Sequence, residues 1–199
     1  MKTHFTNLIV SVLLLIFSGT SYAQIKSPAE HIKAMKNGTL LVRLHTKENS
    51  ILMMEVQGQQ ERADKTFKKQ LEKNKAIMTS FKNTFDFAPV LYFFSYDSEK
   101  VKNKNFNEVF INEDFKIDPN LNVKDTSNIY IIDVGEVYFR RFGSHMKGIV
   151  ILDDQFNPLP DEMPVIVRKR DAIALFRRSY PDMIVELNQN LTEFYNEYY

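Results

Sequence analysis

The chain has 199 residues, no cysteine, 26 basic and 25 acidic side chains, 16 phenylalanines and nine tyrosines. The lack of cysteine removes thiol nucleophiles, dithiol redox pairs, thiolate zinc sites and lipidation at a cysteine from the possible chemistry. The even charge balance argues against sequence-independent binding to nucleic acid, which works through net positive charge, and an aromatic, glycine-poor composition is that of a packed domain.

Residues 1–23 read as a secretory signal peptide. Lys2 supplies a positive start, Leu8 to Phe17 an apolar stretch, and Ser21-Tyr22-Ala23 a small-x-small cleavage site before Gln24. The apolar stretch is about half the roughly twenty residues that a bilayer span requires, and no later segment approaches that length. The expected product is one α/β domain over residues 24–199, exported to a periplasm or the extracellular space, with no transmembrane anchor after cleavage. Loss of residues 1–23 removes Lys2 and no acid, which leaves 25 basic against 25 acidic side chains.

Gln24 to Lys36 is polar and predicts a short lead-in helix or loop. Asn37-Gly38 turns the chain into Thr39–Thr46, whose apolar, branched run predicts a largely buried strand. Ser50–Gln57 is ambiguous by periodicity; a helix broken by Gly58 is favoured. Gln59 to about Phe85 predicts a long helix, with Ala63, Phe67, Leu71, Met78, Phe81 and Phe85 as its buried stripe. Lys65, Lys68, Lys69, Lys73 and Lys75 then form its solvated face.

Pro89 opens a second strand at Val90–Ser95, and Ser98-Glu99-Lys100-Val101 begins a short helix. Lys102 to Ser127, rich in Asn, Asp and Lys, is the least regular stretch, with Val109–Ile111 a short strand and Asp118-Pro119-Asn120 a turn. Asn128–Asp133 and Lys147–Asp153 predict two more strands, and Val165–Val167 an edge strand. Asp171 caps a helix over Ala172–Arg178. Pro181 and Asp182 open a last helix, whose stripe is Ile184, Leu187, Leu191, Phe194 and Tyr198.

Strands alternating with helices predict an α/β fold with a mixed sheet, parallel at least in its first half, and helices packed on it. In outline this element order resembles a thioredoxin-type core. Where such a protein carries its redox cysteines this chain has none, so the resemblance implies a fold and not that activity.

Ligands of open α/β sheets gather beyond the carboxyl ends of the strands. That rule singles out His45 after the first strand, Asp97 after the second, Asp133 and Glu136 at the third, and Asp153 with Asp154 after the fourth. A histidine facing several carboxylates suits acid–base work or a hard divalent ion, whereas polar residues at strand ends are also ordinary turn chemistry. Arg43 and His45 share a strand face opposite Leu40, Val42 and Leu44, so a buried Arg43 requires a carboxylate partner or an anionic ligand. His31 and His145 read as exposed loop residues without a role.

Tyr138-Phe139-Arg140-Arg141-Phe142 interleaves aromatic and basic side chains, and Arg168-Lys169-Arg170 adds a second basic cluster. Arg140, Arg141, Arg168 and Arg170 are therefore candidate ligand-binding residues for an anionic glycan, a phosphate-bearing headgroup or an acidic envelope protein. No phosphate loop, dinucleotide fingerprint, nucleophile elbow or HExxH helix occurs, and no cofactor or metal is expected. The leading expectation is a noncatalytic exported binding module or envelope component of unknown ligand. The alternative is a hydrolase or metal-dependent enzyme that uses His45 and the strand-end carboxylates.

Overall fold

A computed structural model describes residues 26–139, 143–169 and 178–199. The expected signal peptide, the candidate residues Arg140, Arg141 and Arg170, and nearly all of the helix expected over Ala172–Arg178 lie outside the described residues. The remainder is a single α/β domain, a six-stranded mixed sheet with helices packed on it.

Helix α1 (Pro28–Asn37) starts on a reciprocal cap in which Ser27 Oγ accepts from Glu30 N–H while the Glu30 carboxylate accepts from Ser27 N–H. It leads directly into β1 (Thr39–Leu44). Two helices follow on one side: α2 (Glu48–Val56), ended before Gly58 at φ +71°, and the 25-residue α3 (Gln60–Thr84). The chain then crosses β2 (Val90–Phe94), a single 3-10 turn (Ser95–Asp97), α4 (Ser98–Lys102) and β3 (Phe110–Ile111). It closes with β4 (Ile129–Phe139), β5 (Ser144–Leu152), β6 (Ile166–Arg168) and α5 (Tyr180–Tyr198). Ser179 and Asp182 cap α5 as Ser27 and Glu30 cap α1, and Arg178 pairs with Glu186 on the helix itself.

The strand order is β3-β2-β1-β4-β5-β6. β1 runs parallel to both β2 and β4, while the β2–β3, β4–β5 and β5–β6 pairs are antiparallel. The first strand is thus the centre of the sheet. The chain leaves it toward β2 on one side and returns to β4 on the other.

A central parallel strand needs cover on both faces, and β1 alternates accordingly. Leu40, Val42 and Leu44 join Ile132, Val134, Ile149 and Ile151 under Ile77, Met78 and Phe81 of α3 and Met183, Ile184 and Leu187 of α5. Leu41 faces the other way, with Phe93, Ile131 and Val150, under Val101 of α4, Val109, Phe110 and Val123. That second layer is roofed mainly by the irregular stretch 103–128, not by a long helix. Its turns are built by side chains that accept backbone N–H groups: Asn112 from Asp114 and Lys116, Asp118 from Asn120, and Asp125 from Ser127.

Three local expectations are corrected. Phe67 and Leu71 of α3 are 55% and 40% exposed, and the buried positions there are Gln70 and Asn74. Tyr198 is half exposed at the end of α5. His31 belongs to α1, half-buried, where its Nδ1 hydrogen-bonds the Tyr130 hydroxyl at 3.0 Å and its ring meets Tyr130 edge to face. His145 lies in β5, opposite Tyr138 of β4. Among the described residues no helix is long and apolar enough to cross a membrane.

Candidate functional site

Connections that leave β1 and arrive at β4 by different routes open a crevice between the carboxyl ends of these two strands, where α/β sheets bind their ligands. β1 delivers Arg43 and then His45 to this end, and β4 delivers Asp133, the direct neighbour of Arg43 in the parallel register. Asp133 Oδ2 accepts from Arg43 Nη1 at 3.1 Å, and Asp133 Oδ1 accepts from His45 Nε2 at 2.7 Å. The carboxylate partner required for Arg43 is therefore Asp133, which also holds the imidazole.

Burial pushes the Asp133 carboxyl up, but the His45 hydrogen bond and charge, with the Arg43 guanidinium, outweigh it. Asp133 is held below the usual carboxylate range and is ionised at neutral pH. The Arg43 guanidinium lies 5.6 Å from the centroid of Phe156, a bulky residue in left-handed backbone (φ +61°). Arg43 Nε is buried without a hydrogen-bond partner among the described residues.

Above this bridge lies a cavity of about 340 Å³, a size that suits a small ligand. Two glycines open it: Gly135 and Gly148 are register partners across β4 and β5, and the His45 ring rests 3.4 Å from where a Gly135 side chain would begin. Lysines close in from four elements or their ends. Lys47 follows β1, Lys73 comes from α3, Lys147 from β5, and Lys169 follows β6. The Tyr180 ring is shared by Lys73 and Lys169, at 5.9 and 5.0 Å from its centroid. Glu136, exposed, is the one carboxylate in the lining among the described residues.

No ion pair joins Lys47, Lys73 or Lys169 to a carboxylate among the described residues. Burial above all, and then the charges of Lys47 and Lys169, press the Lys73 ammonium below the ordinary lysine range, with Asp133 opposing. The crevice is a concentration of positive charge in a chain of even overall balance. Clefts lined by one sign of charge focus their field on ligands of the other.

Other predicted residues take different places. Asp97, buried, pairs with Lys100 one turn along the chain at 2.8 Å. Asp153 folds its own loop, its Oδ1 accepting from Gln155 N–H and Asn157 N–H, and Asp154 pairs with Lys104 at 2.9 Å. No hydrogen bond or ion pair brings Asp97, Asp153 or Asp154 to His45 among the described residues. Arg168 lies exposed on β6 as the register partner of Gly148. Among the described residues no group of three or more His, Asp or Glu side chains is placed to hold a metal ion.

Sequence reasoning passed over Lys47 and Lys147 and assigned Lys73 to a solvated helix face. The signal for Lys73 was its spacing: Gln70, Lys73, Asn74 and Ile77 follow the i, i+3, i+4, i+7 pattern of one helix face. That face is anchored by polar groups, with Gln70 Nε2 donating to Asn74 Oδ1 and Asn74 Nδ2 donating to the His45 carbonyl, both at 2.9 Å. Comparison with family models, with curated proteins and with solved structures finds no match for this chain.

Proposed function

We propose that this protein is an exported, noncatalytic binding module whose ligand presents a compact anionic group to the lysine-lined crevice between β1 and β4. The observation that carries the reading is the convergence of Lys47, Lys73 and Lys169, none of them ion-paired among the described residues, on one cavity that Lys147 also lines and where Glu136 is the one lining carboxylate among those residues. Holding ammonium groups together without an anion is unfavourable, and a bound phosphate, sulfate or carboxylate removes that repulsion. Anionic glycans and acidic groups on envelope proteins carry such moieties. Export itself rests on the signal-peptide pattern of residues 1–23.

Lys73→Met tests the site. Deleting a partly buried, crowded ammonium while keeping its packing is expected to raise the melting temperature by a few degrees and to weaken binding of inorganic phosphate or sulfate tenfold or more. Calorimetric titration beside thermal denaturation reads both. Unchanged anion affinity in the variant would sink the proposal. The parent protein adds a pH signature. Because the folded-state pKa of Lys73 is depressed, the folded protein binds fewer protons than the unfolded chain between that value and the ordinary lysine pKa. Stability therefore rises with pH across this window, while anion affinity falls as Lys73 loses its charge.

One observation favours a second reading, acid–base catalysis by His45. Its ring lines the cavity while Asp133 fixes its orientation. His45→Gln separates the two: a module that only binds keeps its anion affinity to within a few-fold and has no turnover to lose. A hydrolytic activity of the parent on phosphate or carboxylate esters that vanishes in the variant would replace the binding reading.

A further inference from the structure

Beside the lysine crevice, across the buried amide of Gln70, lies a second cavity of a different chemical character. It is a groove of about 500 Å³ between α2 and α3, lined also by Phe94, Tyr96 and Phe115. Gln70 lines both cavities. So does the segment after β1, residue by residue: His45 and Lys47 face the crevice, while Thr46 and Glu48 face the groove.

The groove exists because two apolar stripes face each other without closing. On α2, Ile51 and Leu52 stand between Glu48 and Glu55 at helical spacing, and on α3 Phe67 and Leu71 share one face. Leu52, Phe67, Leu71 and Tyr96 remain 56%, 55%, 40% and 55% exposed. Side chains of this size exposed together in a concavity mark a binding surface, and single exposed residues do not. The ends of the combined trough carry opposite charge. Lysines gather at the crevice end, whereas Glu48 and Glu55 border the groove and repel an anion there.

We infer that the two cavities form one site for a single-chain amphiphile with an anionic head, the head held by Lys47, Lys73 and Lys169 and the hydrocarbon chain laid over Gln70 into the α2–α3 groove. This deepens the anion-binding reading and rests on it. The head chemistry, a phosphate monoester or a carboxylate, is shared by lysolipids and free fatty acids. Hydrocarbon entering the groove covers the exposed face of Phe67 and Leu71 and leaves water with it, so each buried methylene strengthens binding by up to about fourfold.

The experiment is a titration of the purified protein, below micelle formation, with inorganic phosphate, butyl, hexyl and decyl phosphate, decanoate and decanol. Leu71→Asp, at an exposed helix position, and Lys73→Met are measured in parallel. Decyl phosphate is expected to bind at least a hundredfold tighter than inorganic phosphate, with affinity climbing along the alkyl series. Leu71→Asp should flatten that climb while inorganic phosphate binds as before. Lys73→Met should weaken decyl phosphate tenfold or more and leave decanol unchanged. Decanoate binding like decyl phosphate identifies the carboxylate as an equivalent head, and decanoate binding no better than decanol restricts the site to phosphate heads. A flat alkyl series with intact phosphate binding overturns the amphiphile and spares the anion site. Decanol binding as tightly as decyl phosphate overturns the link between the cavities. Failure of inorganic phosphate and of every alkyl anion to bind overturns both readings.

Discussion

Asp133→Ala is expected to destabilise the protein by about 2–4 kcal/mol, the largest stability loss from any polar side chain of the crevice. Removing one member of a buried ion pair costs about 3–5 kcal/mol, because the partner stays behind uncompensated. Here the partners are Arg43 and His45, whose side chains are 25% and 31% exposed, so water compensates part of that loss and the lower end applies. Arg43 has little else to turn to, since its Nε already lacks a partner among the described residues and its guanidinium is fixed beneath Phe156. For a chain of this size each kcal/mol moves the melting temperature by about 2–4 °C, so thermal denaturation reads the effect directly. A shift under about 2 °C would mean that the bridge contributes nothing.

The same bridge sets an acid limb. Burial opposes ionisation of Asp133, but His45 and Arg43 prevail, so its folded-state pKa lies below that of the unfolded chain. Its contribution is complete above the ordinary carboxylate pKa and is lost as pH falls through the depressed folded value; Asp133→Ala abolishes that part of the acid dependence. Because the variant deletes a negative charge beneath the lysines, inorganic phosphate should bind it at least as tightly as the parent. Stability and binding thus move in opposite directions, which separates the scaffold of the crevice from the groups that meet a ligand.

Gly148→Ala is expected to cost about 2–4 kcal/mol and to weaken anion binding several-fold with every lysine still present. A β-carbon built at Gly148 stands 2.4 Å from the Val167 carbonyl oxygen and 3.3 Å from Arg168 Cα. Both are backbone atoms, which no rotamer change can move, and overpacking of this kind costs about 1–3 kcal/mol or more. β6 is only three residues long and among the described residues pairs with β5 alone, so the readiest relief is to shift β6 outward. That shift breaks the bond from Lys169 N–H to the Lys147 carbonyl, 2.8 Å, and withdraws Lys169 from the cavity. Gly135→Ala is the control. Its β-carbon meets the His45 ring at 3.4 Å, an ordinary contact, and its effect should stay within about 1 kcal/mol. Equal losses in the two variants would refute the steric account.

Much of the architecture could be read from local pattern. The branched run at Thr39, the break at Gly58, the strand after Pro89 and the Pro181–Asp182 helix start each stand within a residue or two of the expected boundary. Side-chain burial on α3 was legible only in part. A helix of 25 residues spans about 38 Å, and periodicity marks an apolar face without saying what lies opposite it at each turn. Phe67 and Leu71 therefore border an open groove, while Gln70 and Asn74 occupy the interior. That Arg43 needs a carboxylate or an anionic ligand followed from strand alternation together with the rule against unpaired buried charge; that the partner is Asp133 came from the parallel register of β1 and β4. The lysine crevice did not, because Lys73, Lys147 and Lys169 are neighbours only through strand order and register, which a sequence without internal repeats does not display. Asp97 and Asp153 were attractive at strand ends, but local partners took both.

The stretch 103–128 looks in composition like filler, a run of Asn, Asp and Lys exchangeable for any polar segment. Its conformation instead depends on individual carboxylate and amide oxygens, at Asn112, Asp118 and Asp125, each accepting a backbone N–H a few residues ahead. Tolerance to mutation in this stretch is consequently narrow at these three polar positions as well as at the buried Val109, Phe110 and Val123, and hydropathy registers only the second set. Drift from Asp or Asn to Lys or Gln would leave the apparent character of the segment intact while unfastening the cover over Leu41, Phe93 and Ile131.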